Sequence, residues 1–460
     1  MVVRIAVIGA GAAGTSAAWQ IRERFGDNAD ITVFEKKEHA GGRAWTVDFA
    51  GTTVEIGGSI LHSTGHYTRE WQNIVGAHEG QSGLSIDGKD ETYAFWNRDG
   101  FVVNARTSLA ALGWSIVRHV GIRSTLILVQ QAKHNASKWT KIYDLQREGQ
   151  VFETPEQIIS ALGLKDSTSK SLGQALRDAG ANEKLIKDIA EPIIHNMYNQ
   201  GEDIEAFAGE VGLAGAGLAG GYLYCIDGGN WSLLHRLLES LHVRTRYGST
   251  VTAIRSNDVQ DEHHQHTGKA VFDVSFQDNA GHANTEKFDV VVLAAPLALA
   301  GITLEHNGEK LPVDAHPYQR VETTLVVGRL RREYFHATGK RLPSTVFIAD
   351  SAPSDVKSIG VTGYSPKYHE RMYKIFSAEH VVNDDELNRI FDKVQDVLRF
   401  TWEGAYPILR PNTQHVPFTL APGLFYANAF ETVAGSIEVE AVGGWNTGHL
   451  AIKYIEHISQ

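Results

Sequence analysis

Glu35 is the first residue from which a chemistry can be read. It closes the apolar run Ile31 to Phe34 and lies 21 residues after the last glycine of Gly9-Ala10-Gly11-Ala12-Ala13-Gly14. A carboxylate at that distance can accept both ribose hydroxyls of an adenosine and would repel a 2′-phosphate. The glycines supply the other half of the recognition. Gly9 permits a tight turn, Gly11 lets the backbone approach a pyrophosphate, and Gly14 lets a helix pack on a strand. With Ala12 and Ala13 they open a helix whose free N–H groups and positive dipole end suit a phosphate.

These groups need elements to hold them. Arg4 to Ile8 (RIAVI) has the length and apolarity of a strand, and Thr15 to Phe25 reads as a helix. G-x-G-x-x-G alone is a weak signal, because glycine turns occur in many loops. Strand before, helix after and acid downstream together predict a dinucleotide site. Lys36 to Arg43 (KKEHAGGR) then adds a second glycine pair, Gly41 and Gly42, just beyond the ribose acid. A nicotinamide enzyme has no need of that second turn. A flavin, whose ring is threaded past the first domain into a second, has. After a hairpin over 46–54, Glu55-Ile56-Gly57-Gly58-Ser59 would bring backbone to the isoalloxazine. Each of these glycines taken alone reads as an ordinary hairpin turn.

Composition bounds the rest. The 460 residues allow two or three domains, and a net charge of −11 argues against a nucleic-acid surface. One cysteine, Cys225, excludes an internal disulfide and a cysteine metal cluster. His263, His264 and His266 sit in a polar stretch that reads as a solvated hairpin tip, so no metal site is expected. The first strand starts at Arg4, leaving no room for a secretory signal in the chain as given, so a soluble intracellular protein is expected unless a leader was removed. The two N-x-S sequons, at Asn135 and Asn230, carry little weight.

Further along, residues 66–104 read as a mixed, turn-rich entry to a second domain with a short strand over 92–96. Residues 108–131 are strongly apolar but carry Arg118, His119 and Arg123 at the centre, too charged for a membrane span. A buried helix pair accounts for them; an apolar substrate wall, or a face lying in a bilayer interface with its basic residues outward, is the sharper reading. Helices are expected at Thr154-Pro155, over 171–179, 183–196 and 231–241. The Gly/Ala run 209–221 reads as a close backbone approach or a flexible loop. A strand pair is expected over 243–255. Asp289 to Leu293, ending in Ala294-Ala295-Pro296, reads as the chain returning to the first sheet. Strands over 323–330, 344–348 and 373–377, a helix from Asp384 and a strand over 424–429 follow. Ser436 then opens the last helix, Ile437 to Ile458, whose N–H groups could hold an anionic flavin N1/C2 oxygen.

GAGAAG, KKEHAGGR, EIGGSILH, DGGN (227–230), the strand ending in AAP, YKIFS (373–377) and FETVAGSIEVEA together resemble the flavin-dependent amine oxidase and phytoene desaturase superfamily, and within it the prenylcysteine oxidase (prenylcysteine lyase) family. The resemblance spans nearly the whole chain. It implies an α/β fold: a discontinuous Rossmann-like FAD-binding domain of glutathione-reductase type (1–65, 222–300, 395–460) with an inserted α+β substrate domain (66–221, 301–394).

It also implies FAD, dioxygen and a thioether substrate with an apolar chain. S-prenyl cysteine or a related S-alkyl cysteine would be cleaved to thiol, aldehyde and hydrogen peroxide. The alternative is amine or polyene oxidation within the superfamily, and contact with a membrane surface is left open. By the same resemblance Gly9, Gly11, Ala12, Ala13 and Gly14 hold the pyrophosphate, with Glu35 and Lys36 at the ribose. Gly41, Gly42 and Arg43 serve the flavin-side phosphate and ribityl chain, and Gly57, Gly58 and Ser59 the ring. Val251 touches adenine through its backbone, Ala294 closes its strand beside the cofactor, and Glu431, Ser436 and Ile437 line the ribityl and C2-oxygen edge. His62 and His195 are candidates for moving the proton of an attacking water, against the alternative of buried, hydrogen-bonded histidines. Lys374 is similar in placement to the flavin-water lysine of amine oxidases, or is a solvated strand residue. By the resemblance, animal members enter the secretory route to lysosomes; the chain as given shows no signal, so its location is left open.

Overall fold

The computed structural model describes residues 2–80, 92–105, 109–260, 266–313, 316–337, 342–378 and 380–459. Strand β1 (Val3–Ile8) lies at the centre of a six-stranded sheet, because it is apolar on both faces and can be covered on both. Strand β2 (Ala29–Phe34) and the strand Val290–Leu293 flank it in parallel, joined by Arg244–Arg246 at one side and Leu424–Tyr426 at the other, with Thr419–Ala421 as an antiparallel edge. The expected return of the chain near residue 290 is therefore present. The expected strand pair over 243–255 is not a hairpin. Arg244–Arg246 extends the parallel sheet, whereas Thr250–Gln260 belongs to a separate five-stranded sheet.

Helix α1 (Ala12–Phe25) covers the parallel sheet, and the C-terminal helix Ile437–Ile458 packs on α1. Small residues decide that contact. A Cβ on Gly444 would run into the carbonyl of Ala13, and one on Gly448 would lie 3.1 Å from the carbonyl of Ala17. Ser16 donates its hydroxyl to Ala441 O at 2.7 Å, which sets the register of the two helices.

A seven-stranded sheet forms the second layer. Its order is Phe391–Pro407, Tyr318–Leu330, Glu370–Ser377, Val356–Ser365, Thr345–Ile348, Tyr93–Asn97, Gly100–Ala105. Sheets continue across the expected boundaries after residues 300 and 394: Thr303–His306 pairs with Thr250–Gln260, and Phe391–Pro407 pairs with Tyr318–Leu330.

Residues 66–75, read as part of a mixed stretch, form helix α2 (His66–Val75), which stops at Gly76 in the left-handed region (φ 61°). The glycine/alanine run is mostly helix Ala206–Gly215, and its first half does make a close approach, with Gly209 against Leu172 and Gly212 against Tyr198. Residues 81–91 and His263–His264 lie outside the described residues. Both sequon asparagines are buried: Asn135 donates to Ser167 Oγ at 3.0 Å and Asn230 to the carbonyl of Gly58 at 2.9 Å, so neither offers its amide for glycosylation.

Helix Ala206–Gly215 also buries two carboxyls. Glu205, before its first turn, is fully buried with neither side-chain oxygen partnered among the described residues, and burial pushes its pKa well up. Glu210 rises to about 8 for the same reason and is hydrogen-bonded by Asn135. A carboxyl that keeps its proton in the native state makes stability fall as pH rises from the ordinary carboxylate range towards the raised value. The slope is at most about 1.4 kcal/mol per pH unit per group. Glu205→Gln removes that penalty. The melting temperature of the variant relative to the parent chain should rise between about pH 5 and pH 8. A difference independent of pH would show that Glu205 is ionised.

Candidate dinucleotide and active site

Gly9 sits at φ +112°, and a Cβ there would strike the carbonyl of Ala294 at the end of its strand. A Cβ on Gly14 would strike the carbonyl of Gly9. These two glycines are required by contact, which pins the turn between β1 and α1. Gly11 is the N-cap of α1, with no side-chain cap and no acidic residue in the first turn. What faces it is Gly42, whose Cα is 3.7 Å from the place a Gly11 Cβ would take. The N–H groups of Ala12 and Ala13 precede the first intrahelical bond, from Thr15 to Gly11 O, and remain open to an anion.

Glu35 follows the last residue of β2, directly beneath this turn. One carboxylate oxygen accepts from the Ala10 N–H and the other from the Lys37 N–H, both at 2.9 Å. Its remaining lone pairs are free for sugar hydroxyls. Ser249 donates its N–H to Glu35 O, which brings the strand holding buried Val251 to the same end of the sheet. Lys36 is exposed on the turn. The inward lysine is Lys37, whose Nζ donates to Gly42 O at 2.8 Å and lies 4.4 Å from the Trp45 ring centroid. Burial lowers its pKa to about 8.

The second and third glycine turns are stitched together. Gly41 donates to Ala10 O at 2.9 Å and Gly58 donates to Arg43 O at 2.8 Å, while Gly57 has no room for a Cβ against that same carbonyl. Gly58 in turn faces Ile437 Cδ1, 3.6 Å from where its Cβ would stand. A continuous track of close backbone contacts thus runs from Gly11 to Gly42, Arg43, Gly57–Gly58 and the first turn of the C-terminal helix. That helix is capped by Ser436, whose hydroxyl accepts from the Val439 N–H at 3.1 Å. Asn230 of the DGGN stretch locks the third turn, donating its N–H to Glu55 Oε1 at 2.6 Å and its amide to Gly58 O.

Beside the track lies a buried charge cluster. Arg43 forms an ion pair with Glu431 and donates to Ala405 O at 3.1 Å. Asn428 bridges the Glu431 and Glu440 carboxyls at 2.9 and 3.0 Å. One guanidinium cannot hold two buried carboxylates, so burial and the neighbouring Glu431 charge drive the Glu440 pKa well up and keep it neutral. Asn428 Oδ1 and Glu440 Oε1 are buried without hydrogen-bond partners among the described residues. Capacity of that kind, next to an open helix N-terminus and a glycine track, fits a bound dinucleotide.

Lys374 projects to the third turn. Its amine donates to Glu55 O at 3.2 Å and Ser59 Oγ at 3.3 Å, and burial lowers its pKa. The reading of Lys374 as a solvated strand residue is set aside by that burial. The Glu55 carboxyl rises to about 7, chiefly through burial. Cys225 is a buried thiol held up to about 11 by burial, which keeps it protonated.

The two histidines lie in different surroundings. His62, in the short strand Leu61–His62, has Nδ1 2.7 Å from Thr64 Oγ1, and burial lowers its pKa. His195 is buried against the Ile348 carbonyl (3.4 Å) and Asp350 (3.5 Å), and burial takes it to about 4. Its hydrogen bonds tie helix Glu191–Tyr198 to strand Thr345–Ile348, and none of them reaches the glycine track.

Comparison with known proteins places this geometry. The prenylcysteine lyase family profile matches residues 124–460, and that of an NAD(P)-binding Rossmann-like domain matches residues 7–77. Prenylcysteine oxidase 1 of Bos taurus and that of Homo sapiens are each 27% identical, over 97% of this chain and 88% of the relative. Among solved structures, putrescine oxidase bound to putrescine superposes with a TM-score of 0.64 at 14% identity, over 100% of this chain and 99% of the other. Cyclohexylamine oxidase from Brevibacterium oxydans gives 0.61 at 14% identity, over 99% and 100%. At such identities the structures share the fold.

Proposed function

Because the chain belongs to the prenylcysteine lyase family, we propose that it is an FAD-dependent oxidase that cleaves S-prenyl cysteine, or a closely related S-alkyl cysteine, at the carbon next to sulfur. One water and one dioxygen are consumed, and one thiol, one aldehyde and one hydrogen peroxide are released. The observation that carries this reading is the span of the family match. It covers residues 124–460, including the strands of the second sheet from Tyr318 onward and the C-terminal helix, rather than only the glycine turn common to many dinucleotide enzymes.

FAD, when bound, supplies hydride acceptance and passes the electron pair to dioxygen. The chain's own part is placement and proton handling. Gly9, Gly11 and Gly14 with the α1 N-terminus would hold the diphosphate, Glu35 the adenosine ribose, and Gly42, Arg43, Glu431 and Ser436 the ribityl side. Gly57, Gly58, Ser59 and Ile437 would border the ring. Water adds to the oxidised carbon and must lose a proton before the adduct collapses to thiol and aldehyde. Lys374, with its lowered pKa, and Glu55, near neutrality, are the groups beside the third turn able to move that proton. His195 we assign to holding helix and strand together.

Pure protein should release peroxide, free cysteine and farnesal in equal amounts from S-farnesyl cysteine. Peroxide from amines with none from any thioether would replace this reading by amine oxidation. Lys374→Met should lower turnover roughly 100-fold while the flavin stays bound, and His195→Gln should keep turnover within about one order of magnitude. The reverse ranking would return the proton-handling role to the histidine.

A further inference from the structure

Helices α3 (Leu109–Val120) and α4 (Ile122–Trp139), joined at Gly121 with φ +86°, are apolar on two sides. The inner side is accounted for. Ile116, Val120, Ile127 and Leu128 are core residues, and the hairpin is fixed from within by three polar ties. His119 meets Asp188 at 2.8 Å, Asn182 donates to Val120 O at 2.7 Å, and Ser124 Oγ accepts from the Asn182 N–H at 3.2 Å. These ties hold the opposite side outward. It carries Trp114 and Ile122, each 64% exposed, and Leu126 at 55%. A helix apolar all round is normally buried, and clustered exposed apolar side chains mark a contact surface.

The charge around this surface runs against the rest of the chain. The protein is acidic overall, at −11, yet no Asp or Glu occurs between Asp99 and Asp144, a stretch that holds six Lys and Arg. Of these, Arg118, Arg123, Lys133 and Lys141 are exposed, with Arg118 one helical turn beyond Trp114 and Arg123 beside Ile122, its guanidinium edge lying over Gly180. A second copy of the chain is a poor occupant, since like-charged faces would meet. An anionic layer with an apolar interior satisfies both features: side chains of the Trp114, Ile122 and Leu126 kind enter the acyl boundary while arginines stay at the headgroups. No helix among the described residues is long and apolar enough to cross a membrane.

We infer that the outer face of the α3–α4 hairpin docks the protein on the surface of an anionic lipid bilayer, lying in the interface without spanning it. This goes beyond the thioether reading and does not depend on it, so lipid binding and turnover can fail separately.

The test is flotation of the full-length, flavin-loaded protein with vesicles of phosphatidylcholine, with and without phosphatidylserine. The parent chain should float with the anionic vesicles, and high salt should release it. Arg118→Gln/Arg123→Gln should weaken partitioning roughly 25-fold, at about fivefold for each cation near the surface. Trp114→Ser/Leu126→Ser should abolish it at an unchanged melting temperature, and both variants should oxidise detergent-dispersed substrate as the parent does. Should the serine variant unfold, the arginine pair and the salt dependence decide. No binding by the parent chain, binding indifferent to the arginine substitutions, or a dimer that dissociates on loss of Trp114 would each overturn the inference.

Discussion

Replacing Gly14 by alanine should leave a chain that folds poorly and purifies without its dinucleotide. The added Cβ would enter the van der Waals space of the Gly9 carbonyl and lie 3.1 Å from the Ala294 side chain. Neither neighbour can yield: one is the backbone of the phosphate turn and the other ends the strand Val290–Leu293. Helix α1 must therefore move away from β1, at about 3 kcal/mol for overpacking, and its open N–H groups leave the position that an anion would share with Gly42. We expect the flavin absorbance per chain to drop more than tenfold. Gly113→Ala is the control. Gly113 also lies inside a helix, but a Cβ there meets nothing within 4 Å, so the change should be neutral or stabilise by up to about 1 kcal/mol. Equal behaviour of the two variants would mean that the turn tolerates displacement and that these contacts do not hold α1 against β1.

The second large effect belongs to Arg43. Its guanidinium is the cation paired with buried Glu431, and Asn428 links that carboxylate to Glu440. Arg43→Met leaves a buried carboxylate without its counter-charge, a loss of about 3–5 kcal/mol. Arg43→Lys should recover part of that loss, because a single nitrogen, Nη1, reaches both Glu431 and the Ala405 carbonyl, and an ammonium restores the counter-charge without the planar geometry. Glu440→Gln gives the sharper contrast. Glu440 is already neutral, so the amide should change stability by no more than about 1 kcal/mol. Chemical denaturation of the three variants measures the ranking. If Glu440→Gln were as costly as Arg43→Met, Glu440 would be the ionised partner and the cluster would need redrawing.

What could be read from sequence here follows from how locally each feature is encoded. The glycine turn, the DGGN helix start and the Ser436 cap are set by neighbours a few residues away, and Glu35 by the short strand–helix–strand unit that ends in it; each is present in the structure where its residues predict it. The tie between Asn230 and the third turn, by contrast, links residues 172 apart, and no spacing rule carries it. Lys36 and Lys37 are adjacent and chemically alike. Which one turns inward is settled by Trp45 and Trp402, whose rings receive Lys37.

Helix Ala206–Gly215 was hidden by its composition, yet Gly209, Gly212 and Gly215 recur every three residues, the spacing of one helix face, and each faces a neighbouring side chain. Strand Phe391–Pro407 also left a legible trace in the alternation of Leu398, Phe400 and Trp402. Helix α2 showed less. Its buried Tyr67 and Trp71 are one turn apart, but its start is secured by Glu438, whose carboxylate accepts the Tyr67 and Thr68 N–H groups at 2.8 and 3.0 Å from 370 residues away. The lowered pKa of Lys374 is wholly a product of the sheet that buries it.

The proposed reaction requires a flavin lying along this track with its ring open to a thioether. The most direct measurement is to mix the oxidised, flavin-loaded protein with S-farnesyl cysteine in the absence of oxygen and follow the visible flavin band. The band should bleach, with one aldehyde formed per flavin, and return when air is admitted. A protein that binds no flavin, or a bound flavin that keeps its colour with every S-alkyl cysteine offered, contradicts it.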